Sequence, residues 1–264
     1  MLEVIDLLAL QTIVFRFVLQ VTRALTVSVP PTRLGIDAET IKDRLAGGGG
    51  GQASSVTPII PASTLKGVWR TSACYAANEM GLVCCGTKSP DLMGKMHLVF
   101  EDGGARLVTV HGRRVCHVCA LFGLSDVPSA VYFEDARPLD YLVAVGVRPG
   151  IEIDDYSGTA RRGRLYFVEV IEPGSLFTVD VGLVLDGRFG ESFGLCQAVE
   201  LLIRASEYVE AVGVGRGAAK PYLYSVVFGG SVAREPSEAA KLLNCLDLEP
   251  VFQRVWLPEK LVLP

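Results

Sequence analysis

From Thr12 to Thr26 apolar and polar side chains alternate with a period of two. That period puts one set of side chains on one face of an extended chain, so the run is expected to be a strand with its apolar face packed inward. Shorter strand-like runs recur at Ala130–Phe133, Leu165–Ile171, Leu176–Val184 and Tyr222–Phe228. Helical spacing is confined to two main stretches. The first starts at Ser63, a natural N-cap, and carries Leu65, Val68 and Trp69 on one face before running through Ala76 and Ala77 to Met80 and stopping at Gly81. The second, from Leu195 to Glu207, places Leu195, Val199, Leu202 and Ile203 together. With 50% hydrophobic and 20% charged residues in 264, the chain can bury a large core, and the pattern predicts a β-rich α+β protein.

The formal net charge of −4 and a pI near 5.5 argue mildly against a nucleic-acid partner. The cations are clustered, however, which weakens that exclusion. The apolar stretch from Val4 to Val21 is interrupted by Asp6, Gln11, Arg16 and Gln20, too polar to span a membrane, and it lacks the basic start and cleavage site of a signal peptide. A cytoplasmic location with no membrane partner is expected. Glycines 47–51 form an unbroken run, read as the tip of a mobile loop over about residues 44–56.

Several groups have the composition of sites. Lys66 and Arg70 stand four apart, on one helix face near its N-terminus, beside the hydroxyls of Ser63 and Thr64. Exposed N–H groups and cations there suit a phosphate, although an ordinary capped helix has the same composition. Gly213, Gly215 and Gly217 surround Arg216, leaving the backbone open to close approach by a ligand or simply forming a tight turn. Arg161, Arg162 and Arg164 lie in a glycine-flanked segment ahead of a strand. Seven cysteines, an odd number, do not suggest a secreted disulfide framework. Cys116 and Cys119 have zinc-ligand spacing; with Cys85 and His111 they make a four-ligand set for a structural Zn²⁺, the other reading being two buried thiols. Glu134, Asp135 and Asp140 follow a strand, where solvated acids are common, and are not expected to form an active site.

Four separated motifs are, taken together, similar to the RAMP superfamily of CRISPR-associated proteins. They are Ile60-Pro61-Ala62-Ser63-Thr64-Leu65-Lys66-Gly67-Val68-Trp69-Arg70, with departures from the family's I-P-G-S-S-L-K-G-x-x-R at Ala62 and Thr64; Cys116-x-x-Cys119 running into Leu121-Phe122-Gly123; Ile153-Asp154 with Ser157-Gly158-Thr159-Ala160 and a downstream Glu169; and Gly213-x-Gly215-Arg216-Gly217. Gly35-Ile36-Asp37, followed by Ile41-Lys42-Asp43, resembles the loop that precedes the first motif in the repeated backbone subunit of type III (Csm or Cmr) complexes, with the glycine run as an insertion.

The resemblance implies a single domain with a ferredoxin-like (RRM-like) core and large insertions, among them a loop-rich lid and a thumb at about 140–175 that kinks a guide–target duplex; the cysteine spacing makes about 84–123 the candidate zinc-bound insertion. It implies binding of crRNA and complementary target RNA through Ser63, Thr64, Lys66, Arg70, Arg161, Arg162, Gly213, Gly215, Arg216 and Gly217, and assembly with copies of itself and other effector subunits. It also implies that Asp37, with Mg²⁺ or another divalent metal, assists attack of a 2′-oxygen on the adjacent phosphate, with Asp43 as the next candidate. Three alternatives stay open: a non-catalytic backbone or capping subunit of the same superfamily, a guide-processing endoribonuclease, and a zinc-stabilised structural protein without RNA. The presence of only three histidines counts against the endoribonuclease.

Overall fold

The computed structural model describes residues 12–29, 36–44, 56–87, 89–139, 143–190, 192–259 and 261. The expected glycine loop lies outside these residues, as do Gly35 and Asp140. In chain order the strands are β1 (Thr12–Arg23), β2 (Ser28–Val29), β3 (Glu39–Thr40), β4 (Lys42–Arg44), β5 (Val56–Pro58), β6 (Val108–Val110), β7 (Arg113–Val115), β8 (Val131–Phe133), β9 (Arg137–Pro138), β10 (Val145–Ile153), β11 (Ala160–Ile171), β12 (Leu176–Val184), β13 (Ala218–Phe228) and β14 (Ser231–Ala233). The helices are α1 (Ala62–Glu79), α2 (Pro90–Asp102), α3 (His117–Phe122), α4 (Leu195–Val212), α5 (Pro236–Leu242) and α6 (Glu249–Val255). It is an α+β chain with antiparallel sheets.

The alternation in β1 buries Ile13, Phe15, Phe17, Leu19 and Val21 on one side, and β12 does the same with Phe177, Val179, Val181 and Leu183. Hydrogen bonding builds one sheet in the order β14-β13-β1-β12-β8, with β9 also on β12 and every pairing antiparallel. Helix α1 lays Leu65, Trp69, Ala73, Ala76 and Ala77 on this face, and α4 adds Ala198, Leu202, Ala205 and Val209. The alanines let the two helices meet closely, and helical spacing of three and four keeps each row on one side. Trp69 sits at the centre, fully buried, edge-on to Phe17 at 5.8 Å and to Phe133 at 5.4 Å. Burying such a ring contributes on the order of 2–3 kcal/mol.

Several boundaries differ from the sequence reading. Helix α1 begins at Ala62 with Pro61 as cap residue, so Ser63 is already inside the first turn and caps nothing. Its first N–H instead donates to Asp135 Oδ1 at 2.7 Å, a carboxylate from the segment after β8. Helix α4 runs on to Val212, and α2, α5 and α6 complete stretches in which no helix was expected. The polar segment before β11 is the far half of a long ribbon, β10 paired with β11, that belongs to no larger sheet. Four of the seven cysteines are paired, as Cys74–Cys84 and Cys196–Cys245. Among the described residues no helix is long and apolar enough to cross a membrane.

Candidate RNA-facing cleft and candidate metal centre

Asp37 is exposed, yet its position is held from two sides. Its N–H donates to Phe167 O at 2.8 Å, and its Oδ2 accepts the Phe167 N–H at 2.6 Å. One residue on, the Glu169 N–H donates to Ala38 O at 2.9 Å. The segment carrying Asp37 is thus stitched along β11. Beneath it Lys42 meets the buried Glu169 carboxylate at 2.6 Å, while the Thr26 hydroxyl donates to Glu169 O at 2.7 Å. Such a pair is held in place because separating it would strand a charge out of water.

The glycine-rich loop arrives at the same crossing. The Arg216 N–H donates to Thr26 O at 3.1 Å. A Cβ on Gly215 would come within 2.2 Å of Thr26 O, and one on Gly217 within 2.4 Å of Ala24 O. The close approach that these glycines permit is therefore to the chain's own backbone, which fixes the loop against the end of β1. Gly213, at φ 89°, ends α4. The result brings Arg216 to Asp37: an open cleft of about 330 Å³ is lined by Asp37, Ala38, Tyr166, Val168 and Arg216. The Tyr166 ring lies over Gly150, where a Cβ would meet it at 2.3 Å, so the pleat opposite leaves room for that wall.

The remaining RNA-binding candidates are distributed. Ser63, Thr64 and Lys66 occupy the first turns of α1, with Ser63 exposed. Burial, and then the charge of Arg70, hold the Lys66 amine below the usual lysine range. Arg70 itself turns inward, toward Gly123 O and Cys119 Sγ. Arg161 is engaged within its own ribbon, to Glu152 at 2.6 Å and Asp154 at 3.0 Å. Arg162 is part of β11, but its side chain lies outside the described residues. The motif Ile153-Asp154…Ser157-Gly158-Thr159 builds the ribbon's tip. Asp154 Oδ1 accepts the N–H groups of Tyr156 and Ser157 at 3.1 and 3.0 Å, and Gly158 takes φ 67°. The Ser157 N–H, and then Arg161, keep the Asp154 carboxyl below its ordinary range. Along the ribbon Val147, Ile151, Ile153, Tyr156 and Leu165 are exposed.

Cys85, His97, Cys116 and Cys119 converge behind α1, all buried, with their ligand atoms within 4.8 Å of one another. Three of these, Cys85, Cys116 and Cys119, belong to the expected set, the last two by their spacing. The fourth position is filled by His97 rather than His111, which sits at φ 48° in the β6–β7 turn and lines a separate small cavity with Asp186 and Arg188. His97 was missed because it lies inside α2; its spacing from Met93 and Phe100 along one helix face was the available signal.

The donor set fits a soft divalent ion. Cys85 and Cys119 Sγ are 3.6 Å apart, close to the edge of about 3.8 Å that a tetrahedron with Zn–S bonds near 2.3 Å would have. His97 Nε2 is buried without a hydrogen-bond partner. Burial draws the His97 imidazole down, but the neighbouring Cys116 and Cys85 sulfurs outweigh it and push the group up to about 9. Cys116 caps α3, its Sγ accepting the Cys119 N–H at 3.4 Å. His117 is no part of the set: its Nδ1 accepts the Val83 N–H at 3.2 Å and its ring packs on Phe193. The Cys74–Cys84 disulfide fastens the ligand-bearing loop to α1. A cavity of about 490 Å³, lined by Arg70, Tyr75, Cys85 and Met93 among others, opens beside the cluster.

No curated protein matches the chain. The model of the RAMP superfamily matches residues 39–220, well over half of the 264; the match begins two residues after Asp37 and spans β3, β4, α1, the cysteine cluster, the ribbon and Arg216. The chain belongs to the RAMP superfamily.

Proposed function

We propose that this RAMP protein is a crRNA-binding backbone subunit of a type III effector complex and that it cuts complementary target RNA at the Asp37–Arg216 cleft. Membership of the superfamily supports a CRISPR-associated, RNA-binding role. The observation that carries the finer reading is that an exposed carboxylate and an exposed guanidinium, 179 residues apart in sequence (216 − 37), line one open cleft. The sheet order β13-β1-β12-β8, with α1 following β1 and α4 following β12, supports reading the core as ferredoxin-like, with the lid, the cysteine-rich insertion and the ribbon as additions to a single domain.

In this reading Ser63, Thr64 and Lys66 hold the guide backbone at the start of α1, and the ribbon is the thumb against the duplex. The position of Asp135 on the Ala62 N–H leaves the Ser63 and Thr64 N–H groups as the helix-end donors for a phosphate. Asp37 takes up a proton, or a share of a metal, through Oδ1, the oxygen not engaged by Phe167. Arg216 balances charge on the scissile phosphate. A Mg²⁺ or similar ion, held by Asp37 and the RNA phosphate, would add Lewis-acid stabilisation of that charge; one carboxylate plus substrate oxygens is a common way to hold it. At the second site Cys85, His97, Cys116 and Cys119 would hold a structural Zn²⁺, joining α2, α3 and the Cys85 loop. Partners are crRNA, target RNA, copies of the chain and other effector subunits, in the cytoplasm.

A second reading rests on one contact. Because Phe167 N–H occupies Asp37 Oδ2, Asp37 has a turn-fixing role ready-made, as it would in a non-catalytic backbone or capping subunit. Cleavage of guide-complementary RNA by the assembled complex in Mg²⁺, comparing wild type with Asp37→Asn, separates the two. Regularly spaced products that vanish in the variant, with guide binding intact, support catalysis; equal cleavage by both assigns a scaffold.

A further inference from the structure

We infer that Arg70 is the counter-charge of the Cys85–His97–Cys116–Cys119 metal centre, a positioning residue for its thiolates and not a phosphate ligand. The inference rests on the metal reading given above. Lys66 and Arg70 share a helix register, but their side chains part company: the Arg70 guanidinium reaches Gly123 O with Nη1 at 2.7 Å, and Cys119 Sγ and Met93 Sδ with Nη2 at 3.1 and 3.3 Å. One planar fork thus joins α1, which carries it, to α2 one turn before His97 and to both a ligand and the C-cap of α3.

The charges explain why a cation belongs there. Three thiolates, a neutral imidazole and a divalent ion sum to −1 in a site where every ligand is buried. A net charge out of water is costly unless an opposite charge is hydrogen-bonded to it. Among the described residues lining the adjoining cavity, Arg70 alone is cationic, and its Nη2 already points at a ligand sulfur. An arginine suits the task better than a lysine, because the fork holds the carbonyl and the sulfur at once. Gly123 fits the same purpose: at φ 79°, with a Cβ there only 2.9 Å from Ser129 N, its carbonyl is fixed where Nη1 meets it. Groups hydrogen-bonded to metal ligands typically change metal affinity by about 10–100-fold when removed.

The test uses the full chain as wild type, Arg70→Met and Arg70→Lys, loaded with Zn²⁺ or Co²⁺. Metal transfer to a chromogenic chelator, the Co²⁺–thiolate absorption band and the salt dependence of guide RNA binding are measured on each. Arg70→Met should surrender metal about 10–100-fold more readily with a shifted Co²⁺ band. Arg70→Lys should recover part of the loss, and the salt slope should stay that of wild type. Wild-type metal retention in Arg70→Met, with a slope lower by about 0.7, the value for one lost single-strand phosphate contact, would overturn the inference. Should Arg70→Met not fold, wild-type retention in Arg70→Lys overturns it and faster release supports it. A wild-type chain that takes up neither ion removes the metal reading itself, a result distinct from a wild-type centre indifferent to Arg70.

Discussion

The cysteine cluster and the Asp37 cleft are built on opposite plans. At the cluster every candidate ligand is buried, and the groups around it are fixed several times over, by the Cys74–Cys84 disulfide, by the cap of α3 and by the Arg70 fork. At the cleft both charged groups are exposed and are held through backbone: Asp37 by its two bonds to Phe167, Arg216 by its N–H to Thr26. The first arrangement resists change and suits a structural ion. The second leaves the side-chain tips free to meet a ligand while the chain beneath stays put. A protein that must hold a long RNA by repeated contacts gains from this separation, because rigidity is supplied away from the surface that the RNA touches.

The contrast breaks first, and furthest, at Asp37. Asp37→Asn should lower target cleavage by about 10²–10⁴-fold, the usual contribution of a positioned proton-transfer group. Its thermal midpoint should barely change, since the amide oxygen can still accept the Phe167 N–H. A midpoint that falls as steeply as the activity would mean that the cleft is as structural as the cluster.

Lys42→Met probes what lies beneath the cleft. Glu169 is buried, and Lys42 keeps a fifth of its side chain in water, so the loss should be at the low end for a broken buried pair, about 3 kcal/mol in chemical denaturation. Cleavage should fall with it, because the Asp37 segment is tied to β11 at Phe167 and at Glu169 itself. On the other side of the comparison, Cys74→Ser with Cys84→Ser opens a ten-residue crosslink, for which loop entropy gives about 2.5–3 kcal/mol. Zinc should offset part of that loss. Denaturation midpoints with and without the ion would show whether metal and disulfide hold the same loop.

How far the sequence was legible follows the same division. β1, β12, α1 and α4 were readable because one face of each is buried, and burial writes a period of 2 or 3.6 into the side chains. The C-x-x-C was readable because ligands within one turn need that spacing. His97 was not, since its approach to Cys85 and Cys116 depends on how α2 packs, which no local pattern records. His111 had only nearness in sequence in its favour, and its turn faces elsewhere. The glycines around Arg216 were visible, but the surface they press on was not; Thr26 and Ala24 are nearly 200 residues away. The inward turn of Arg70 was hidden for the same reason. The helix register puts it beside Lys66, and only the position of α3 turns it inward.

The smallest expected effect tests what exposure means for an arginine. Arg161 and Arg216 are both at the surface, but Arg161 already has Glu152 and Asp154 for partners, in a ribbon that is open to solvent. Exposed pairs of this kind contribute little, so Arg161→Ala should leave global stability nearly unchanged and loosen only the tip, visible as faster amide exchange around Asp154. A cation satisfied within its own hairpin must give up those carboxylates before it can contact a phosphate, and the exchange returns little. Arg161→Ala should therefore weaken guide RNA binding less than Arg216→Ala and leave the salt slope closer to wild type. If Arg161→Ala instead has the larger effect, the ribbon tip opens its ion pairs on RNA, and the ribbon rather than the Asp37 cleft carries the principal phosphate contacts.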